Sequence, residues 1–142
     1  MTKTFFANAR LIDPVALTDG PGALLVEDGK IAAMGDDLAA PKDASVVDCG
    51  GYCLAPGIID IGVKVSEPGE RHKESFRSAG QAAAAGGVTT IVTRPDTLPA
   101  IDTPETLEFV ERRAQEDAPV HVLPMAALTK GREGRELTEI GF

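Results

Sequence analysis

Beyond residue 57 the apolar pattern changes its period, and that change constrains the fold more than any other feature of the chain. Ile58–Val65 is a nearly continuous apolar run, suited to a strand buried on both faces. Glu74 to Ala85 is alanine-rich without an internal proline, which predicts a helix, and Gly86-Gly87 would end it as a C-cap does. Val88–Thr93 is β-branched at every position, a composition that fits a pleated strand. Thr103-Pro104 opens a second helix, with a capping hydroxyl followed by proline in the first turn, and Leu107, Val110 and Ala114 repeat at helical spacing. Val120–Ala126 predicts a third strand. The order β-α-β-α-β implies parallel strands joined by right-handed helical crossovers.

The stretch before this is organised differently. Thr4–Asn8, Ala23–Glu27, Lys30–Met34 and Ser45–Asp48 are apolar segments of strand length separated by turn residues. Asp28-Gly29 between two of them predicts a tight hairpin, because glycine accepts positive φ without steric cost. Asp19-Gly20-Pro21-Gly22 predicts another turn. This part reads as a small β module, and the division into two parts is placed at residues 1–54 and 55–142.

The length of 142 residues suffices for a domain with a real core, whereas a complete (β/α)₈ barrel needs about 250 residues. Three parallel strands make one side of such a barrel and leave an open edge. Leu137–Ile140 begins another helical pattern just before Phe142, so the expectation is a fragment of a longer protein. A three-stranded α/β domain standing alone is the alternative. The formal net charge of -8 argues against nucleic acid or an anionic membrane as partner. No apolar run approaches the ~20 residues needed to span a bilayer, and the N-terminus lacks a secretory signal pattern, so a cytoplasmic protein is expected. Cys49 and Cys53 are read as small buried thiols in neighbouring β segments, since further zinc ligands do not follow at the usual spacing.

Five segments in order carry a resemblance. They are Ala55-Pro56-Gly57-Ile58-Ile59-Asp60, Glu67-Pro68-Gly69 with Lys73-Glu74, Ala82 to Thr89, Pro95-Asp96-Thr97, and Leu128-Thr129-Lys130-Gly131 with Gly134, Glu136 and Leu137. Together they resemble the dihydroorotases and their cyclic-amidohydrolase relatives, the allantoinases and hydantoinases. The resemblance implies an α/β fold. In it, a small N-terminal β-sandwich portion precedes the first three strands and connecting helices of a TIM-type barrel, here incomplete. It also implies a family reaction, the reversible hydrolysis of dihydroorotate to carbamoyl aspartate in pyrimidine biosynthesis, in which zinc activates water by lowering its pKa to about 7.

Set against the family's Asp-x-His-x-His motif, this chain reads Asp60-Ile61-Gly62-Val63-Lys64. Histidines two apart share one face of a strand. Gly62 has no side chain to offer at the first of these positions. Lys64 presents an ammonium at the second, with three donors and no lone pair, which repels a dication. Where the resemblance implies a substrate-binding arginine there is Ser66, and where it implies an asparagine there is Asp96. No catalytic residue and no metal ligand is assigned within this chain, and no cofactor is expected in it. His72 is read as a solvated loop residue and His121 as a structural residue on a strand face.

The reading that follows is a dihydroorotase-like cyclic amidohydrolase homologue, inactive in this chain. Its rivals are an allantoinase- or hydantoinase-type enzyme and an active amidohydrolase built on ligands from later strands. A third rival is a non-catalytic paralogue serving as an assembly subunit for aspartate transcarbamoylase. Expected partners of the full-length protein are further copies of itself or that enzyme. Lys64 and Asp96 are expected to approach each other at the barrel mouth. Histidine restored at positions 62 and 64 is expected to raise metal content in the full-length protein only.

Overall fold

The computed structural model describes residues 2–141. The chain forms two compact units, Met1–Pro56 and Gly57–Phe142, dividing two residues later than the change of pattern suggested.

The first unit is one mixed sheet of five strands. They are β1 (Lys3–Asp13), β2 (Thr18–Glu27), β3 (Lys30–Gly35), β4 (Ser45–Asp48) and β5 (Cys53–Leu54). The order is β3-β2-β1-β4, with β5 also pairing β1; β2 and β3 run antiparallel to their neighbours, whereas β4 and β5 run parallel to β1. Asp28 and Gly29 both adopt positive φ, +47° and +77°, so the hairpin turns where the Asp-Gly pair predicted it. Phe5, Ala23 and Leu25 form the buried centre.

Asp19-Gly20-Pro21-Gly22 is not a turn. These residues lie within β2, opposite Ile12, Leu11, Arg10 and Ala9. A Cβ at Gly22 would come within 2.6 Å of Leu11 Cδ1 and 2.9 Å of the Gly35 carbonyl oxygen, so glycine here serves close approach of strands. The chain reverses earlier, where the Asp13 carboxylate accepts from the N–H groups of Val15 and Ala16 at 2.8 and 3.0 Å. An aspartate side chain thus organises a turn without help from glycine.

The second unit is the α/β half. Strands β6 (Ile58–Val63), β7 (Val88–Thr93) and β8 (His121–Pro124) are parallel and adjacent in that order. Helix α1 (Phe76–Ala85) joins the first two and α2 (Pro104–Asp117) the last two. Ser75 caps α1, its hydroxyl accepting from the Ser78 N–H while the Ser78 hydroxyl accepts from the Ser75 N–H. Thr103 caps α2 one way only, its hydroxyl accepting from the Thr106 N–H at 3.3 Å, with Pro104 in the first turn. Val65, Phe76, Ala79, Ile91, Ile101, Val110 and Ala114 pack as one buried cluster.

Ile58–Val65 is not buried on both faces. Ile61 pairs with Val92, and Val92 with Leu123, placing the three in one row across the sheet. Ile61 is 71% exposed and Leu123 56%, because the helices pack on the other face only. Leu137–Ile140 is not helical either: Leu137 makes an antiparallel bridge to Thr129, following a 3₁₀ turn at Lys130–Arg132. Gly131 and Gly134, both at positive φ, bend the intervening loop back on itself.

Candidate functional site at the strand ends

In an open parallel sheet, ligands meet the chain outside the carboxyl ends of the strands, where the loops to the following helices begin. Those ends carry Lys64 and Ser66 after β6, and Arg94 and Asp96 after β7. The two strands do not run in simple register. Ile61 faces Val92 and Val63 faces Thr93, so two residues of β6 advance against one of β7. This bulge falls on Gly62, whose φ is +94°. The even parity expected to put residues 60, 62 and 64 on one face is therefore interrupted at its middle member.

Beyond the bulge the ladder resumes, with the Arg94 N–H donating to the Val63 carbonyl at 2.9 Å. That bond fixes the backbone from which Lys64 and Arg94 project. Lys64 Nζ lies 3.3 Å from Asp96 Oδ2, and an Arg94 guanidinium N–H donates to the same oxygen at 2.9 Å. The Asp96 side chain is only 13% exposed, while the two cations are about half exposed. Asp96 Oδ1 and the neighbouring Thr93 Oγ1 are buried without a hydrogen-bond partner among the described residues. The structure thus joins two of the residues singled out in the sequence, Lys64 and Asp96, and adds Arg94. A single arginine in a turn before proline gave no signal of its role.

Ser66 is half-buried in the loop after β6, its carbonyl accepting from the Glu70 N–H at 2.8 Å. Glu70 is hydrogen-bonded by Lys73, which holds its carboxyl below the usual range, with smaller help from the charges of Lys64 and His72. His72 is exposed in the same loop. His121 opens β8 and therefore lies at the opposite end of the sheet, out of reach of Lys64. Cys49 and Cys53 are free thiols in the first unit, and neither is buried as expected: Cys49 is half-buried and Cys53 is exposed.

The loop after β6 is anchored from beneath by Glu67, which is 4% exposed. Its Oε2 accepts from the Phe76 N–H at 3.1 Å, and its Oε1 meets Arg113 Nε at 3.3 Å and Arg71 Nε at 3.5 Å. Asp117 continues the network, taking Arg113 at 2.5 Å, Arg77 at 3.1 Å and Arg71 at 3.4 Å. Sequence reasoning treated Glu67 only as part of a loop motif, because nothing local reveals that α2 supplies its partner 46 residues on.

These residues do not fit a divalent zinc. At the two strand positions one residue has no side chain and the other is an ammonium engaged with Asp96. Among the described residues, no three histidine, cysteine, aspartate or glutamate side chains converge to hold a metal. What the arrangement can do is hold a carboxylate between two cations and join the ends of adjacent strands.

A family model described as dihydro-orotase-like matches residues 51–142. The dihydroorotase of Syntrophus aciditrophicus (strain SB) is 41% identical over 140 residues, which are 98% of this chain and 33% of that protein. The dihydroorotase of Solibacter usitatus (strain Ellin6076) is 42% identical over 134 residues, 94% of this chain and 31% of that protein. This chain therefore spans about a third of the length of the curated relatives it matches. Among solved structures, the L-hydantoinase from Arthrobacter aurescens superposes with a TM-score of 0.79 at 25% identity, over 91% of this chain and 28% of that one. A dihydroorotase crystal structure superposes with a TM-score of 0.60 at 20% identity, over 92% of this chain and 32% of that one, a likeness of fold.

Proposed function

Because the chain belongs to the dihydroorotase-like family, we propose that its full-length protein is a cyclic-amidohydrolase homologue of the dihydroorotase type that does not itself hydrolyse cyclic amides. In this reading residues 1–54 contribute to a β-sandwich and residues 55–142 form the first three strands of a TIM-type barrel. The observation that carries the proposal is the ion pair of Lys64 with Asp96 at the strand ends. A metal-dependent hydrolase of this family places imidazole ligands there, and an ammonium cannot donate a lone pair to zinc. Ser66 cannot fork onto a carboxylate as an arginine does, and Asp96 sets an anion where an anionic substrate would lie.

The test is made on the full-length protein, purified without chelator and assayed with dihydroorotate and with a hydantoin. The expected result is no turnover above background and zinc well below one per chain. Stoichiometric zinc with turnover of either substrate would overturn the proposal and favour an enzyme built on later ligands. With hydrolysis gone, the role left to this fold is assembly, in the manner of inactive dihydroorotase paralogues that scaffold aspartate transcarbamoylase. Co-purification with that enzyme, and loss of its activity when this protein is removed, would support the assembly role; independence of the two would remove it.

A further inference from the structure

We infer that Lys64, Asp96 and Arg94 form a fixed ion triad that joins the ends of β6 and β7 in place of a metal ion, and that the backbone at Gly62 bars a metal from returning by side-chain replacement alone. The inference rests on the proposed function only for the missing ligand pair; it holds whether or not the full-length protein has activity.

Three observations carry it. Asp96 is largely buried and receives both cations on one oxygen, at 3.3 and 2.9 Å. A buried carboxylate needs such compensation, and two cations on one anion leave the cluster positive, which repels a dication. Secondly, the Arg94 N–H to Val63 carbonyl bond, 2.9 Å, sets Lys64 and Arg94 side by side on neighbouring strands, so the cations are placed by the sheet ladder. Thirdly, Gly62 stands at φ +94° in the bulge, a conformation that L side chains rarely adopt. Nothing lies within 4 Å of a Cβ built there, so the obstacle is the backbone and not a lack of space. Flattening the bulge to accommodate histidine would shift Lys64 by one residue and swing it to the other face of the strand, away from Asp96.

The experiment uses the full-length protein and thermal unfolding, with metal content as a second readout. Lys64→Met and Arg94→Met should each lower the unfolding midpoint, and the pair together should lower it further. Adding Asp96→Asn to that pair should recover much of the loss, because it removes the uncompensated anion; loss of packing alone would give no recovery. Chelator should leave the midpoint unchanged. Gly62→Ala should lower it although no atom obstructs the methyl group. Against the expectation from the sequence, Gly62→His with Lys64→His should bind no more zinc than the parent, because Gly62 stands at positive φ. Additive effects of the three triad substitutions, a neutral Gly62→Ala, or stoichiometric zinc in the double-histidine protein would each overturn the inference. Should the double-histidine protein fail to fold, the triad cycle and Gly62→Ala still decide. Turnover of a cyclic amide by the unmodified protein would sink the proposed function and leave the triad standing. Additivity without turnover would sink the triad and leave the proposed function resting on Gly62 and Lys64 at the ligand positions alone.

Discussion

Glu67 shows how much one side chain can depend on partners that its neighbourhood in the chain does not announce. It is a buried anion satisfied by a helix N–H and two arginines, one of them from α2. Truncating it leaves the Phe76 N–H without its acceptor and takes one of its carboxylates from Arg113, and removing one member of a buried pair costs about 3 kcal/mol. Glu67→Ala should therefore lower unfolding free energy by roughly that amount in urea titrations. Arg77→Ala, at the exposed rim of the same network, should cost less than about 1 kcal/mol. Equal effects would mean that the buried carboxylate is not the hub. Gly69 is as exacting in backbone terms: its φ is +101°, and a Cβ there would lie 2.2 Å from the Leu98 carbonyl oxygen. Gly69→Ala should destabilise by about 2 kcal/mol or more. Gly87→Ala, at φ +78° with nothing within 4 Å, should cost only about 1 kcal/mol of left-handed strain. A smaller loss at Gly69 than at Gly87 would show that the loop yields to the methyl group.

At the scale of elements, the link from β4 to β5 is held by polar contacts instead of apolar packing. Asp48 accepts from the Gly50 N–H at 2.9 Å and from the Asn8 side-chain amide at 3.0 Å, and both hydrogen bonds depress its pKa from the ordinary 3.8, the backbone one more strongly. A depressed carboxyl contributes stability that is fully present above its unfolded value and is lost as pH falls through the folded one. Unfolding midpoints should thus drop below pH 3.8, and Asp48→Asn should flatten part of that acid limb while lowering stability at neutral pH. An acid limb unchanged by Asp48→Asn would remove the turn from the account. Elements whose ends are set by local chemistry behave more simply. Both helices start at a capping hydroxyl and Val88–Thr93 is a strand from end to end, whereas β1 continues past Asn8 to Asp13 because a bulge at Asn8, φ +54°, lets pairing resume at Ala9.

For the whole molecule, the decisive feature is apolar surface. One face of the three-stranded sheet presents Ile59, Ile61 and Leu123 to solvent, and the first unit exposes Ile31 and Met34 along a groove that Leu11, Leu24 and Leu54 also line. Faces of this kind are buried in stable folds, and open parallel edges recruit other strands. The 142-residue chain alone should therefore associate, with an apparent mass in light scattering that rises with concentration. A monodisperse monomer across that range, with a single cooperative unfolding transition, would show that these faces are tolerated in water. Among the described residues no helix is long and apolar enough to cross a membrane.

What the sequence determined by itself was whatever depends on neighbours within a few positions: the order β-α-β-α-β, the capped start of α2 and the Asp28-Gly29 hairpin; the altered positions at Gly62, Lys64, Ser66 and Asp96 were read from the family resemblance. Periodicity, caps and turn residues act over such distances, and they are legible in one dimension. Tertiary structure alone decided the rest. Gly20-Pro21-Gly22 became strand because β1 and β3 approach closely there. The apolar run of β6 stayed open on one face because both helices pack on the other. The approach of Lys64 to Asp96 was expected, but Arg94 joined them because a bulge at Gly62 and a ladder bond from Arg94 to Val63 set two strand ends side by side. Glu67 likewise met Arg113 across 46 residues, a separation at which no local pattern records the partner.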